Sequence, residues 1–201
     1  RTPFYYYDLS LLRSTLSELS SQLARHHDWK VHYALKANFN PGLLKVIASY
    51  GLGADCATGG EIRAALDAGI TPADIVFTGV GKRDEDIELG LDIGIGRFIV
   101  ESTAELQVIN QIASDKGKIA PISLRVNPDV GAYSYANITT GFTENKFGIH
   151  HSMLPQAALL AVQMPAIELL GLHFHVATQV VDPTDFVPLC NRVQQCLEAL
   201  D

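Results

Sequence analysis

Strand-like and helix-like runs alternate along almost the whole chain, and this alternation constrains the fold more than any other feature. Short runs with strand character fall at Val31 to Lys36, Gly53 to Ala57, Ile75 to Thr78, Arg97 to Glu101, Ile122 to Asn127 and Leu172 to Ala177. Between them, helical apolar spacing is found at Gly42 to Tyr50, Gly60 to Ala68, Asp84 to Leu91, Ala104 to Lys116 and Met153 to Gln163, several led by Ser, Thr or Asp in cap positions. Ahead of these, Phe4 to Tyr7 reads as a strand and Asp8 as the N-cap of a helix whose Leu12, Leu16, Leu19 and Leu23 share one face. Repeated βα units of roughly 20 to 45 residues imply parallel strands joined by right-handed crossovers.

Two closures satisfy that pattern. An open doubly wound sheet wants a glycine-rich phosphate turn after its first strand, and Lys36-Ala37-Asn38-Phe39-Asn40-Pro41 is not one. A (β/α)8 TIM barrel accounts better for polar residues that recur at the C-terminal ends of successive strands, where barrels keep their active sites. About six βα units are legible, whereas a full barrel has eight in about 250 residues. The final residues, Leu200-Asp201, fall in the helix after the sixth strand, so the chain is read as a truncated barrel. No linker, low-complexity tract or internal repeat marks another domain.

Bulk properties narrow the ligand class. A net charge of -7 with 15 scattered Lys and Arg offers no clustered basic face for nucleic acid. No apolar run approaches the ~20 residues of a membrane-spanning helix. The expected ligand is a small molecule. Cys56, Cys190 and Cys196 are an odd set without metal-ligand spacing, Cys190 and Cys196 lying in a helical stretch, and read as reduced thiols of a cytoplasmic protein. The chain opens at Arg1 with no visible signal peptide.

Lys36 ends the first barrel strand. Under strict alternation His32, Ala34 and Lys36 point one way, which places an amine among small or apolar neighbours. Desolvation there would favour the neutral amine, a candidate Schiff-base former. A lysine that snorkels out of a barrel rim is the other reading. Further groups recur at the later strand ends: Asp55 ahead of Thr58-Gly59-Gly60-Glu61, then Gly79-Val80-Gly81-Lys82, Glu101-Ser102, Arg125 with Asn127, and His173, His175 and Thr178. Gly79 to Lys82 lacks the flanking residues of a P-loop and reads as a tight turn. Glu101 reads as a cap for the next helix, whose Ser102 to Glu105 resembles a capping box. His173 and His175 suit satisfied barrel-layer histidines or, with no obvious third ligand, a metal pair. Together the groups suit a pyridoxal site, with imidazole on the ring (His175), guanidinium on the phenolate oxygen (Arg125) and hydroxyl on the phosphate (Thr178).

These residues also carry a family resemblance. The motifs are Tyr33-Ala34-Leu35-Lys36-Ala37-Asn38, Gly51-Leu52-Gly53-Ala54-Asp55-Cys56-Ala57-Thr58-Gly59-Gly60-Glu61, Arg125-Val126-Asn127-Pro128, Ile138-Thr139-Thr140-Gly141 followed by Asn145-Lys146-Phe147-Gly148-Ile149, and His173-Phe174-His175-Val176. In order and spacing they resemble diaminopimelate decarboxylases, a group within the alanine-racemase-like family of pyridoxal-phosphate-dependent barrels, over nearly the whole chain. The resemblance implies that Lys36 holds pyridoxal 5'-phosphate, that Asp55 and Arg125 line it, that His175 stacks on its ring and that Thr178 takes the phosphate-binding hydroxyl position. It implies a lyase that converts meso-2,6-diaminopimelate to L-lysine and carbon dioxide, the last step of lysine biosynthesis, as a cytoplasmic homodimer without a metal. An ornithine- or arginine-type decarboxylase, an amino-acid racemase and a non-catalytic pyridoxal-binding homologue are the alternatives. Residues 1–8 resemble the opening strand of the family's second, β-rich domain, and residues 9–201 part of its barrel. The family's glycine-rich phosphate loop, its acidic partner for the pyridine nitrogen and its cross-dimer Cys-Glu pair would lie beyond Asp201, so the chain alone is expected to be inactive. Two departures stand out: His-x-Gly-Ser-Gln becomes His175-Val176-Ala177-Thr178-Gln179, and Thr-His becomes Ser134-Tyr135.

Overall fold

The computed structural model describes residues 2–129, 147–175 and 182–200. Seven parallel strands, β1 (His32–Ala34), β2 (Gly53–Cys56), β3 (Ile75–Phe77), β4 (Arg97–Val100), β5 (Ala120–Asn127), β6 (Ile149–His150) and β7 (Ile167–Phe174), alternate with α1 (Leu9–Leu23), α2 (Pro41–Ala48), α3 (Gly59–Asp67), α4 (Asp84–Ile93), α5 (Thr103–Asp115), α6 (Leu154–Gln163) and α7 (Phe186–Glu198). From β1 to β5 each strand pairs with its sequence neighbour, and β7 continues on β5. A doubly wound sheet reverses strand order at a switch point, and this one does not; sequential order is that of a barrel wall. The short β6 pairs with the last two residues of β5.

Register sorts the side chains into two faces, because parallel partners point the same way. Ala54, Cys56, Ile75, Phe77, Phe98, Val100, Ile122, Leu124 and Val126 enter one core with Ile62, Ile87, Leu106, Ile109 and Leu154 from the helices. Phe77, Phe98, Ile122 and Leu124 are fully buried. The opposite face runs through His32, Asp55, Arg97, Ser123, Arg125 and His173, the alternate residues of the same strands. All the helices packed into this core therefore lie on one side, leaving a polar face on the other. The face of α1 foreseen from its leucines holds, with Leu16 buried against Val46, Ile47 and Leu52 and flanked by Leu12 and Leu19.

Several strand assignments differ from expectation. Phe4 to Tyr7 forms no strand, and Phe4, Tyr5 and Tyr6 are exposed; an aromatic run has strand propensity but becomes a strand only with a ladder partner. The first barrel strand stops at Ala34, and Leu35–Ala37 is a 3-10 turn. The last begins at Ile167 and ends at Phe174, and β5 starts early, at Ala120. Among the described residues no helix is long and apolar enough to cross a membrane.

Candidate functional site

Lys36 sits where the chain leaves β1 for α2. Leu35 is wholly buried in the core on the helix side, and the 3-10 turn around it swings Lys36 out to the rim. The expected strand position among small neighbours is therefore corrected: Lys36 is exposed, on a turn. No hydrogen bond or ion pair engages its amine among the described residues. The turn itself is pinned. Tyr33 Oη donates to the Asn38 carbonyl at 3.1 Å, and Asn38 Nδ2 donates to Tyr7 Oη at 3.1 Å. Asn40 then caps α2, its Oδ1 accepting from the Gly42 amide at 2.9 Å, with Pro41 at the first helical position.

The polar face carries the other groups. Asp55 Oδ1 accepts from Thr78 Oγ1 at 2.7 Å, which fixes the carboxylate one strand away from the Lys36 turn. Arg125 lies opposite His173 on neighbouring strands, and its Nη1 donates to Glu101 Oε1 at 2.6 Å. Glu101 is thus not a helix cap. The capping box is made by Ser102, which accepts from the Glu105 amide, and by Glu105, whose Oε2 takes the Glu101 amide at 2.6 Å. His175 follows β7 directly and is exposed; partial desolvation first and the Arg125 guanidinium second hold it below the ordinary imidazole value, with Lys36, Asp55 and Glu101 also acting on it. All four groups lie at or just past the C-terminal ends of neighbouring strands, on the rim where His175 leaves β7.

His173 is deeper. Burial, then Arg125, push it down to about 4, so it is neutral at neutral pH. Its Nδ1 is buried with no hydrogen-bond partner among the described residues, a partner that a satisfied layer histidine would have. Thr178, Ala177 and the Ile138 to Gly141 motif lie outside the described residues. Neither histidine joins a metal-like grouping among the described residues. Asp129, His150 and His151 do, with ligand atoms within 4.8 Å, but Arg192 Nη1 stands 3.2 Å from both ring nitrogens of His151 and opposes a cation there.

Lys82 shows what its turn is for. Its side chain is completely buried and its Nζ donates to the Gly79 and Ile99 carbonyls and to Glu105 Oε1, at 2.6, 2.7 and 2.7 Å. Gly79, at φ +91°, makes the reversal that brings its carbonyl to the amine, consistent with a tight turn. Lys82, Glu101 and Glu105 also wall a cleft of about 490 Å3 with Val80, Asp84 and Gly148; Lys36 and His175 are not among its walls.

A sequential parallel βα sheet, with an amine after its first strand that has no hydrogen bond or ion pair among the described residues and with imidazole, guanidinium and carboxylate at the ends of its strands, has the architecture of a barrel wall with a polar ligand face. The chain belongs to the family of the pyridoxal-dependent decarboxylase, pyridoxal binding domain, whose profile matches residues 9–201. It is 50% identical to a diaminopimelate decarboxylase of Bacteroides thetaiotaomicron over 100% of this chain and 52% of that protein. It is 38% identical to the one from Neisseria meningitidis serogroup B, over 99% of this chain and 48% of that protein. A variant of the Helicobacter pylori diaminopimelate decarboxylase, solved in complex with L-lysine, superposes with a TM-score of 0.91 at 36% identity, covering 100% of this chain and 50% of that one. The chain spans about half the length of the curated relatives it matches.

The residues present fit pyridoxal phosphate on their own chemistry. A free primary amine suits the aldehyde, a neutral imidazole suits the ring, and a guanidinium suits an anionic oxygen. The buried, unpartnered Nδ1 of His173 leaves a polar atom on that face still to be satisfied.

Proposed function

We propose that the protein carrying this chain binds pyridoxal phosphate through Lys36 and decarboxylates meso-2,6-diaminopimelate to L-lysine and carbon dioxide, in the cytoplasm and as a homodimer. The observation that carries this reading is the Lys36 amine just past the end of β1, without hydrogen bond or ion pair among the described residues, on the same strand-end rim as Asp55, Arg125 and His175. Support for the substrate comes from relatives named for that reaction at up to 50% identity and from a neighbour complexed with L-lysine.

Each residue has work that follows from its setting. Lys36 would hold the cofactor through its aldehyde carbon. His175, whose imidazole partial burial and Arg125 hold below its ordinary value, would offer its ring face to the cofactor ring. Arg125 would donate to an anionic ring oxygen, and Asp55, oriented by Thr78, would line the same face. Thr178 would supply a hydroxyl to the phosphate. Pyridoxal phosphate, when bound, supplies the electron sink for the pair left by the departing carboxylate. The protein's share is to orient the bond that breaks and to keep charges fixed around it. Residues 1–8 belong, in this reading, to a second domain, and Tyr7 ties them to the Lys36 turn through Asn38.

The test is intact mass after borohydride reduction, followed by carbon dioxide release from a panel of diamino acids. The expected result is one trapped cofactor, lost in Lys36→Ala together with all turnover, and release from meso-diaminopimelate alone. Full activity in Lys36→Ala would overturn the site. Release from ornithine or arginine instead would overturn the substrate and leave the site standing.

A further inference from the structure

We infer that Glu101 is a positioning residue: its carboxylate aims the Arg125 guanidinium across the polar face of the sheet toward the cofactor site. This rests on the role proposed above for Arg125 and goes beyond it, since Glu101 is assigned a part in cofactor binding without touching the cofactor.

The register of β4 and β5 sets the pair up. Val100 stands opposite Leu124, so the next rung places Glu101 beside Arg125 at the C-terminal edge of the sheet. Their contact is a single bond of 2.6 Å between side chains exposed by only 6% and 14%. Arg125 is enclosed on further sides. The Phe147 ring centroid lies 5.3 Å from its Cζ, within cation–π range. Gly148, at φ +84°, comes so close that a Cβ there would sit 2.9 Å from the Arg125 carbonyl and 3.1 Å from its Cγ.

Glu101 is itself anchored through its backbone. Its amide is held by Glu105 Oε2, and the other Glu105 oxygen takes the buried Lys82 amine. A chain of contacts thus runs from Lys82 through Glu105 to the Glu101 backbone, and from its side chain to Arg125. What separates this pair from a structural bridge is its incompleteness. Glu101 Oε2 is buried with no hydrogen-bond partner among the described residues, a state that opposes stability. A pair built for stability would close as a two-bond fork, using both oxygens and two guanidinium nitrogens. Among the described residues one bond fixes the guanidinium, and the other Arg125 donors meet no acceptor. Arg125 also stands opposite His173 in the register of β5 on β7, on the face that leads to His175.

The experiment is a double-mutant cycle in the full-length holoenzyme, with Glu101→Gln, Arg125→Ala and the pair combined. The readouts are the dissociation constant for pyridoxal phosphate, from the absorbance of the bound cofactor, and the thermal midpoint of each protein. Each single variant is expected to weaken cofactor binding by about tenfold or more, the scale of a displaced positioning group. The double variant is expected to bind no more weakly than Arg125→Ala, because Glu101 acts only through Arg125. Should Glu101→Gln fail to fold, Glu101→Asp, which keeps the charge and shortens the arm, is expected to show the same weakening. Unchanged affinity in Arg125→Ala would overturn the Arg125 assignment itself and this inference with it. Weakening in Arg125→Ala alone, or an equal further loss on adding Glu101→Gln to it, would overturn the positioning role and leave Arg125 in place.

Discussion

Two turns on the same rim each carry a lysine, and they treat it in opposite ways. In the β3–α4 turn Lys82 is fully buried, and the three hydrogens of its ammonium meet three acceptors from three separate segments. In the β1–α2 turn Lys36 is exposed, and among the described residues nothing accepts from it. The first amine has no capacity left for chemistry, and the second has no structural task. The glycines beside Lys82 serve a tight turn and not a ligand, since all three donors of its amine are already satisfied.

The comparison breaks most readily at Lys82. Replacing it by methionine keeps most of the volume but strands the Glu105 carboxylate and two carbonyls in a buried site. The expected cost is about 3–5 kcal/mol, the usual penalty for removing one partner of a buried pair. Denaturant unfolding of the protein carrying this chain measures it, and a loss below about 1 kcal/mol would show that Lys82 is not the anchor described here.

A second test sharpens the contrast between the filled and the unfilled side of the sheet through His173. Its folded value, about 4, lies below the 6.5 of the free side chain. Above pH 6.5 both folded and unfolded forms are neutral, and the shift has no effect on stability. As pH falls from 6.5 toward 4 the unfolded chain takes up a proton that the folded one refuses, so stability is lost over that window. The loss is no more than about 3 kcal/mol. Comparing unfolding midpoints at pH 7 and 4.5 for the parent and for His173→Asn isolates it; an equal drop in both proteins would remove His173 as the cause.

The parts of this site legible in the sequence were those fixed by local pattern. Alternating periodicity located the barrel strands and the helices between them, because each βα unit writes its own apolar face. Asp55, Arg125 and His175 were singled out because each stands at or near a strand end. Two kinds of error share a cause in tertiary context. Leu35 reads as a strand residue, yet its burial under the helices turns the chain early and moves Lys36 off the strand. The fifth strand was expected to begin at Ile122, yet β5 starts at Ala120 and runs through Pro121, opposite Glu168, although proline lacks an amide hydrogen. The Glu101–Arg125 pair was missed for a third reason: the partners are 24 residues apart, and only the register of β4 on β5 makes them neighbours. That each is in phase with the polar face near the C-terminal end of adjacent strands was the one available signal.

The smallest expected effect is the one that decides the opening contrast. Lys36→Ala removes an exposed amine with no partner among the described residues from a turn held by Tyr33, Asn38 and Asn40, so its stability without cofactor should stay within about 0.5 kcal/mol of the parent. With pyridoxal phosphate present at a hundred times its dissociation constant the parent should gain about 2.7 kcal/mol, because the ligand binds only the folded state. The variant, lacking the covalent attachment point, should gain far less. A drop of more than about 1 kcal/mol in cofactor-free Lys36→Ala would mean that this amine is structural like Lys82. The difference between the two turns would then be one of exposure alone and would say nothing about chemistry.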